Sequence, residues 1–196
     1  MKRAAILIVI LLLLPAALAE GLGAPEDYMS AFDASAYGDS AWIHEVGEQL
    51  ISLAVGDDAV ISLCAQSGQL LAISVTAPQS EDFAVLAEDA LAGTGYVSEG
   101  AVRELLDTGT ARREGALALE TLSGGARIGV YLYDEAAMDR LCWLPMHGGE
   151  KRHSNPRCSG MDLPRLITVR AAEALGFGPC EICAGGAAAN AIDNAA

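Results

Sequence analysis

The feature that most constrains this chain is a set of four soft metal ligands near its C-terminal end. His153 and Cys158 form an H-x4-C pair, and after 21 intervening residues Cys180 and Cys183 form a C-x2-C pair. A tetrahedral ion takes two ligands from each of two such knuckles, so the spacing reads as a structural Zn²⁺ site. Gly178-Pro179 sets a turn ahead of Cys180, and the two-residue spacer lets both thiolates of the second pair face one ion. Between the pairs, Thr168 is placed to cap a short helix over Val169 to Leu175, with Gly176 as its stop. Three thiolates and one imidazole fill the tetrahedron and leave no place for a water, so the expected role of the zinc is structural.

The chain has five cysteines, an odd number, and a disulfide scheme competes with the metal. With zinc on Cys158, Cys180 and Cys183, the remaining Cys64 and Cys142 are an even pair open to bridging. Without zinc, pairing within Cys180-x-x-Cys183, or from Cys158 to either of them, is open. His153 favours the metal, because a disulfide framework has no use for a histidine at ligand spacing. Cys64 alone reads most simply as a small buried hydrophobe.

The same residues carry a family resemblance. A strand, a Gly-Gly turn, H-x4-C, S-G-M-D and T-V-x-x-A-x-x-L-G-F-x-P-C-x-x-C follow one another between residues 143 and 183, ending in Ala174 to Cys183, A-L-G-F-G-P-C-E-I-C. This order resembles the small metal-binding module of the Ada methyl-phosphotriester repair protein. It is more similar still to a variant of that module near the C-terminus of many secreted bacterial proteins. The resemblance implies metal binding by His153, Cys158, Cys180 and Cys183. It does not imply methyl transfer: the accepting position, a cysteine in the repair protein, is His153 here, a neutral imidazole ligand. Lys151, Arg152, Arg157 and Arg165 make the segment locally basic. The analogous surface of the repair protein meets DNA phosphates; in an exported chain the expected partner is the acidic front part of the protein or an anionic envelope polymer such as a wall glycan.

Export is expected from the N-terminus. Met1-Lys2-Arg3 precedes an apolar run from Ala4 to Leu14, and Ala17 and Ala19 give a small-x-small ending before Glu20, the pattern of a cleaved secretory signal, with an uncleaved N-terminal anchor as the alternative. The apolar span, about 16 residues, is short of the roughly 20 that a spanning helix needs, and Pro15 interrupts it. No stable membrane span is expected after cleavage. Residues 20–102 carry 14 acidic and no basic side chains, whereas 103–196 carry 12 acidic and 10 basic. So acidic a front half argues against nucleic acid or anionic lipid as a ligand, since both would be repelled, and favours solubility.

In chain order, 20–41 is a Gly/Ala/Ser/Asp-rich lead-in with at most a helical turn near Asp27 to Phe32. An apolar stretch from Val46 to Val55 leads to a hairpin of Ala59–Cys64 and Leu70–Val75 around Gln66–Gln69. Ser80 is placed to cap a helix bearing Phe83, Leu86, Ala87, Ala90 and Leu91 on one face, and a shorter helix is expected over Glu99 to Leu106. A second hairpin, Ala116–Leu122 and Ala126–Tyr133, is expected to bury Ile128, Val130 and Leu132 and leave Tyr131 and Tyr133 half-exposed. The fold expected is α+β: an antiparallel sheet of about five strands with two helices on one side, over 42–140 and able to fold alone. A zinc-ribbon-like hairpin/helix/knuckle module follows over 141–183, then a disordered tail, 184–196, with no large side chain but Ile192.

No phosphate loop, paired catalytic carboxylates or metal-protease histidine pair is present. His44 and Glu45 lack a nearby Ser or Cys nucleophile, and His147 at a Gly-Gly turn reads as exposed, with a ligand role in place of His153 as the alternative. The expected function is a non-enzymatic binding or structural role at the cell envelope. The alternative is an extracytoplasmic thiol-active or hydrolytic accessory enzyme using Cys180 and Cys183, or Cys142.

Overall fold

The structure, a computed structural model, describes residues 21–33, 41–46, 50–55, 58–145 and 148–183. The segment expected to be a secretory signal, the tail expected to be disordered, His147 and parts of the lead-in lie outside them. Among the described residues the fold is α+β around a seven-stranded antiparallel sheet of order β1-β2-β3-β4-β7-β6-β5. Its strands are β1 (Ala41–Val46), β2 (Leu50–Val55), β3 (Ala59–Gln66), β4 (Gln69–Pro78), β5 (Arg112–Glu114), β6 (Leu117–Gly124) and β7 (Arg127–Asp134). The expected sheet of about five strands is thus extended at both edges. The apolar stretch 46–55 divides into part of one strand and all of the next, and a three-residue strand of charged side chains, β5, pairs with β6. Short, charged β5 is a blunted edge of the kind that resists further pairing.

Three helices cover one face: α1 (Pro25–Asp33), α2 (Phe83–Ala92) and α3 (Ala101–Thr108). The lead-in therefore contributes a nine-residue helix where one turn was expected. Tyr28 and Phe32 anchor it in the core, and the Tyr28 hydroxyl donates to the Ala90 carbonyl at 2.7 Å. α2 begins after Asp82 without a side-chain cap, so Ser80 does not play that part. α3 begins two residues later than expected, after Gly100, and its cap comes from a neighbouring helix. The Glu88 carboxylate on α2 accepts from the Val102 and Arg103 amides at 3.2 and 3.3 Å.

Side chains alternate across a strand, and the sheet uses both sides. Ile61, Leu63, Ile73, Val75, Val130 and Leu132 face the helices. Cys64, Ala72, Ala118, Leu122, Tyr131 and Tyr133 belong to a second core, with Leu141, Trp143, Leu163, Leu166, Ile167 and Ala172 of the C-terminal segment. Tyr131 is fully buried and Tyr133 is 6 % exposed, so the face expected to be half-exposed is covered. The same segment that carries the ligands covers it. Gly129 makes room here: a Cβ on it would come within 2.9 Å of the Tyr131 ring, which folds across it. The front residues thus close the helix-facing core among themselves and share the second core with the C-terminal segment.

The covering segment is built from β8 (Leu141–Leu144), β9 (Lys151–Arg152), β10 (Arg165–Thr168), α4 (Val169–Ala174) and β11 (Gly178–Pro179). β10 pairs antiparallel with β8, and β11 pairs parallel with β9. Gly178 and Cys180 donate their amides inward to Glu150 and Arg152, flanking Pro179. The Trp143 ring stands edge-on to Tyr131 and Tyr133, with centroids 5.1 and 6.5 Å away.

Candidate metal centre

Each ligand is delivered by an element whose local sequence explains it. His153 follows β9 and bridges to Trp143 of β8 through two backbone hydrogen bonds of 2.8 Å. Cys158 opens a tight turn, Cys158–Gly160, in which Ser159 takes a positive φ of 61°. Cys180 and Cys183 form the knuckle after β11. α4, as expected from the sequence, is capped by Thr168, whose hydroxyl accepts from the Ala171 amide at 3.1 Å, and is followed by Gly176 at φ 88°. That stop turns the chain through Phe177 into β11 and aims the knuckle back at His153.

The four sequence-derived ligands come together. His153, Cys158, Cys180 and Cys183 have ligand atoms all within 4.8 Å of one another. The Cys158 and Cys180 sulfurs are 3.9 Å apart, and Cys183 Sγ is 3.7 Å from His153 Nδ1. In a tetrahedron with metal–sulfur bonds of about 2.3 Å and a metal–nitrogen bond of about 2.0 Å, those edges are roughly 3.8 and 3.5 Å. A disulfide would need sulfurs about 2.05 Å apart. The donor set and its edges fit a metal ion.

The surroundings favour the thiolate at one sulfur, that of Cys180. The backbone amides of Cys183 and Ile182, together with the Cys183 and Cys158 thiols, hold the Cys180 thiol below its ordinary value, outweighing its burial. Cys158 is shifted the other way. The Ser159 hydroxyl pulls it down, but burial and the neighbouring Cys183 and Cys180 thiols prevail. Burial lowers His153, which keeps the imidazole neutral as a ligand must be. Ser154 braces the site from its amide, 3.4 Å from Cys183 Sγ, and its hydroxyl donates to the Cys183 carbonyl at 2.9 Å. The spacing pattern gives no sign of Ser154 or Ser159; only their position next to a ligand hints at a supporting part.

The other cysteines are elsewhere. Cys64 and Cys142 are buried free thiols of the second core, and Cys64 donates to the Leu166 carbonyl at 2.9 Å. Burial pushes both up to about 12. His44 lies on β1 at a register shift between Ile43 and Glu45. Of the basic residues, Arg152 pairs with Glu173 at 2.9 Å, and Lys151 and Arg157 are exposed. No described helix is long and apolar enough to cross a membrane.

No protein-family model, curated protein or solved structure matches the chain. The site geometry therefore stands as the main guide to function.

Proposed function

We propose that the chain is an exported, non-enzymatic protein whose C-terminal segment is held together by one structural Zn²⁺ on His153, Cys158, Cys180 and Cys183, with a binding or structural role at the cell envelope. The convergence of the four ligand atoms within 4.8 Å carries the reading. Zinc suits this set because three thiolates and an imidazole match its softness and tetrahedral habit. In short modules of this size the metal contributes on the order of 10 kcal/mol to folding. The resemblance to the secreted variant of the Ada module, and the leader-like N-terminus, support the zinc and the export.

Native mass spectrometry of the purified protein tests it. The expected result is one zinc per chain, with Cys158, Cys180 and Cys183 protected from alkylation until a chelator is added. A metal-free protein with a Cys180–Cys183 disulfide that exchanges with a dithiol overturns it and favours a thiol-active accessory enzyme.

A further inference from the structure

The turn that supplies Cys158 runs on to a second, independent attachment. Four and five residues after this ligand, Asp162 and Leu163 lie against Gly124 at the end of β6. A Cβ on Gly124 would overlap the Asp162 carboxylate and come within 2.7 Å of the Leu163 backbone nitrogen. Gly124 is not in the left-handed region, so its backbone suits any residue and the missing side chain is needed for space. Leu163 itself is in that region, at φ 41°, and is 3 % exposed. A bulky residue holds such a conformation only where its surroundings over-determine it. The next residue is clamped too: the buried Tyr131 hydroxyl of β7 donates to the Pro164 carbonyl at 2.8 Å. The loop 158–164 is thus pinned at one end by a ligand and at the other by the β6–β7 hairpin, with a strained residue between.

We propose that this loop is a metal-dependent latch: ligation of Cys158 holds Leu163 in its strained seat against Gly124 and Tyr131, and so locks the module onto the second face of the sheet. Gly124 and Tyr131 are then positioning residues for a metal neither touches. The coupling runs both ways, because two equilibria that share one loop must bias each other equally. Losing the metal lets Leu163 relax and frees the hairpin; crowding the hairpin weakens the metal. The inference rests on the metal reading above.

The full chain, loaded with one zinc, tests it in two ways. Gly124→Ala and the milder Tyr131→Phe are titrated with a zinc chelator beside wild type and Val130→Ala, a substitution in β7 facing the helices. Affinity is expected to fall about tenfold in Gly124→Ala, within the range of coupled sites. It is expected to fall by a smaller factor in Tyr131→Phe and to stay unchanged in Val130→Ala. Hydrogen exchange on wild type with and without chelator should show protection lost at 158–164 and in the β6–β7 hairpin, while β3 and β4 keep theirs. If wild type binds zinc but both loop-facing variants match its affinity, or the hairpin's exchange ignores the metal, the latch is wrong and the metal reading stands. If wild type binds no zinc, both fall. Should Gly124→Ala fail to fold, Tyr131→Phe and the exchange experiment still decide.

Discussion

Trp143 and His153 are joined by a reciprocal pair of backbone hydrogen bonds, each 2.8 Å long. One residue is the largest fully buried side chain of the second core, and the other is a ligand of the candidate centre. A single bridge between β8 and the start of the His153 loop thus couples sheet packing to metal geometry. Trp143 makes edge contacts with both Tyr131 and Tyr133, so its emission should report on the metal. Chelating the zinc is expected to red-shift Trp143 fluorescence as the ring meets water; an unchanged spectrum would show that the packing ignores the site.

Substitutions at His153 test the ligand set most directly. His153→Ala leaves three thiolates, and zinc affinity measured by chelator competition should fall by orders of magnitude. His153→Cys should retain the ion by restoring four soft donors. His147→Ala should change little. Release of zinc from His147→Ala but not from His153→Ala would reverse the assignment.

Acid should release the metal. Each ligand binds it only when deprotonated, so protons compete, and loss is expected to begin below about pH 6. The metal-free protein should also lose stability in acid through His153. Its folded value lies below 6.5, so below that pH the unfolded chain takes up a proton that the folded chain does not. Melting curves of the metal-free protein between pH 5 and 8 check the sign, and His153→Ala should flatten the slope.

Glu120 is predicted to weaken the protein at neutral pH. It sits on the module-covered face at 7 % exposure, and burial raises its carboxyl more than the Tyr133 hydrogen bond and Arg157 lower it. A raised acid binds protons better folded than unfolded, so stability is greatest in acid and declines as pH climbs above about 4.5. Glu120→Gln should melt higher than wild type at pH 7, with the gap closing toward pH 4. A lower melting temperature at pH 7 would mean the charge is used.

The two thiols of the second core should resist alkylation. At about 12, only about one part in ten thousand of Cys64 or Cys142 is thiolate at pH 8, and both are buried. Peptide mapping after iodoacetamide treatment of the folded, reduced protein should find both unmodified. Rapid labelling of either would place it at the surface.

Removing Glu88 should unseat α3. Its carboxylate replaces the side-chain cap that Gly100 cannot offer, and loss of such a cap costs about 1 kcal/mol. Glu88→Ala should lower stability by that order in urea, with Glu88→Gln retaining most of it.

The local devices were legible in the sequence, and the assembly was not. Thr168 as cap and Gly176 as stop act within a few residues, so their chemistry survives reading in one dimension. The two long hairpins announce themselves by alternation and a Gly-containing turn, and the four ligands by spacing. α1 was hidden because its lead-in has no clean apolar period; Tyr28 and Phe32 earn their place only through contacts with distant helices. Polar side chains hid the second core. Ser62, Ser74 and Glu120 alternate with apolar residues as a solvated face would, yet all three are buried. A positive φ at Leu163 has no sequence signature. A chain ending near Tyr133 keeps the whole helix-facing core and bares the other face, so it should still melt cooperatively but at a lower temperature than the full chain; a melt without a sharp transition would show that the two parts share one core.

Pro179 has one more consequence. Its neighbours Gly178 and Cys180 spend their amides on Glu150 and Arg152, so the one backbone position of β11 turned outward is the residue with no N–H to give. The small sheet beside the candidate centre therefore offers an arriving strand no backbone donor at that position. A strand edge with an acceptor but no donor is a poor partner for an extended peptide, so this rim of the module is blunted against edge-to-edge pairing without any charged side chain on it.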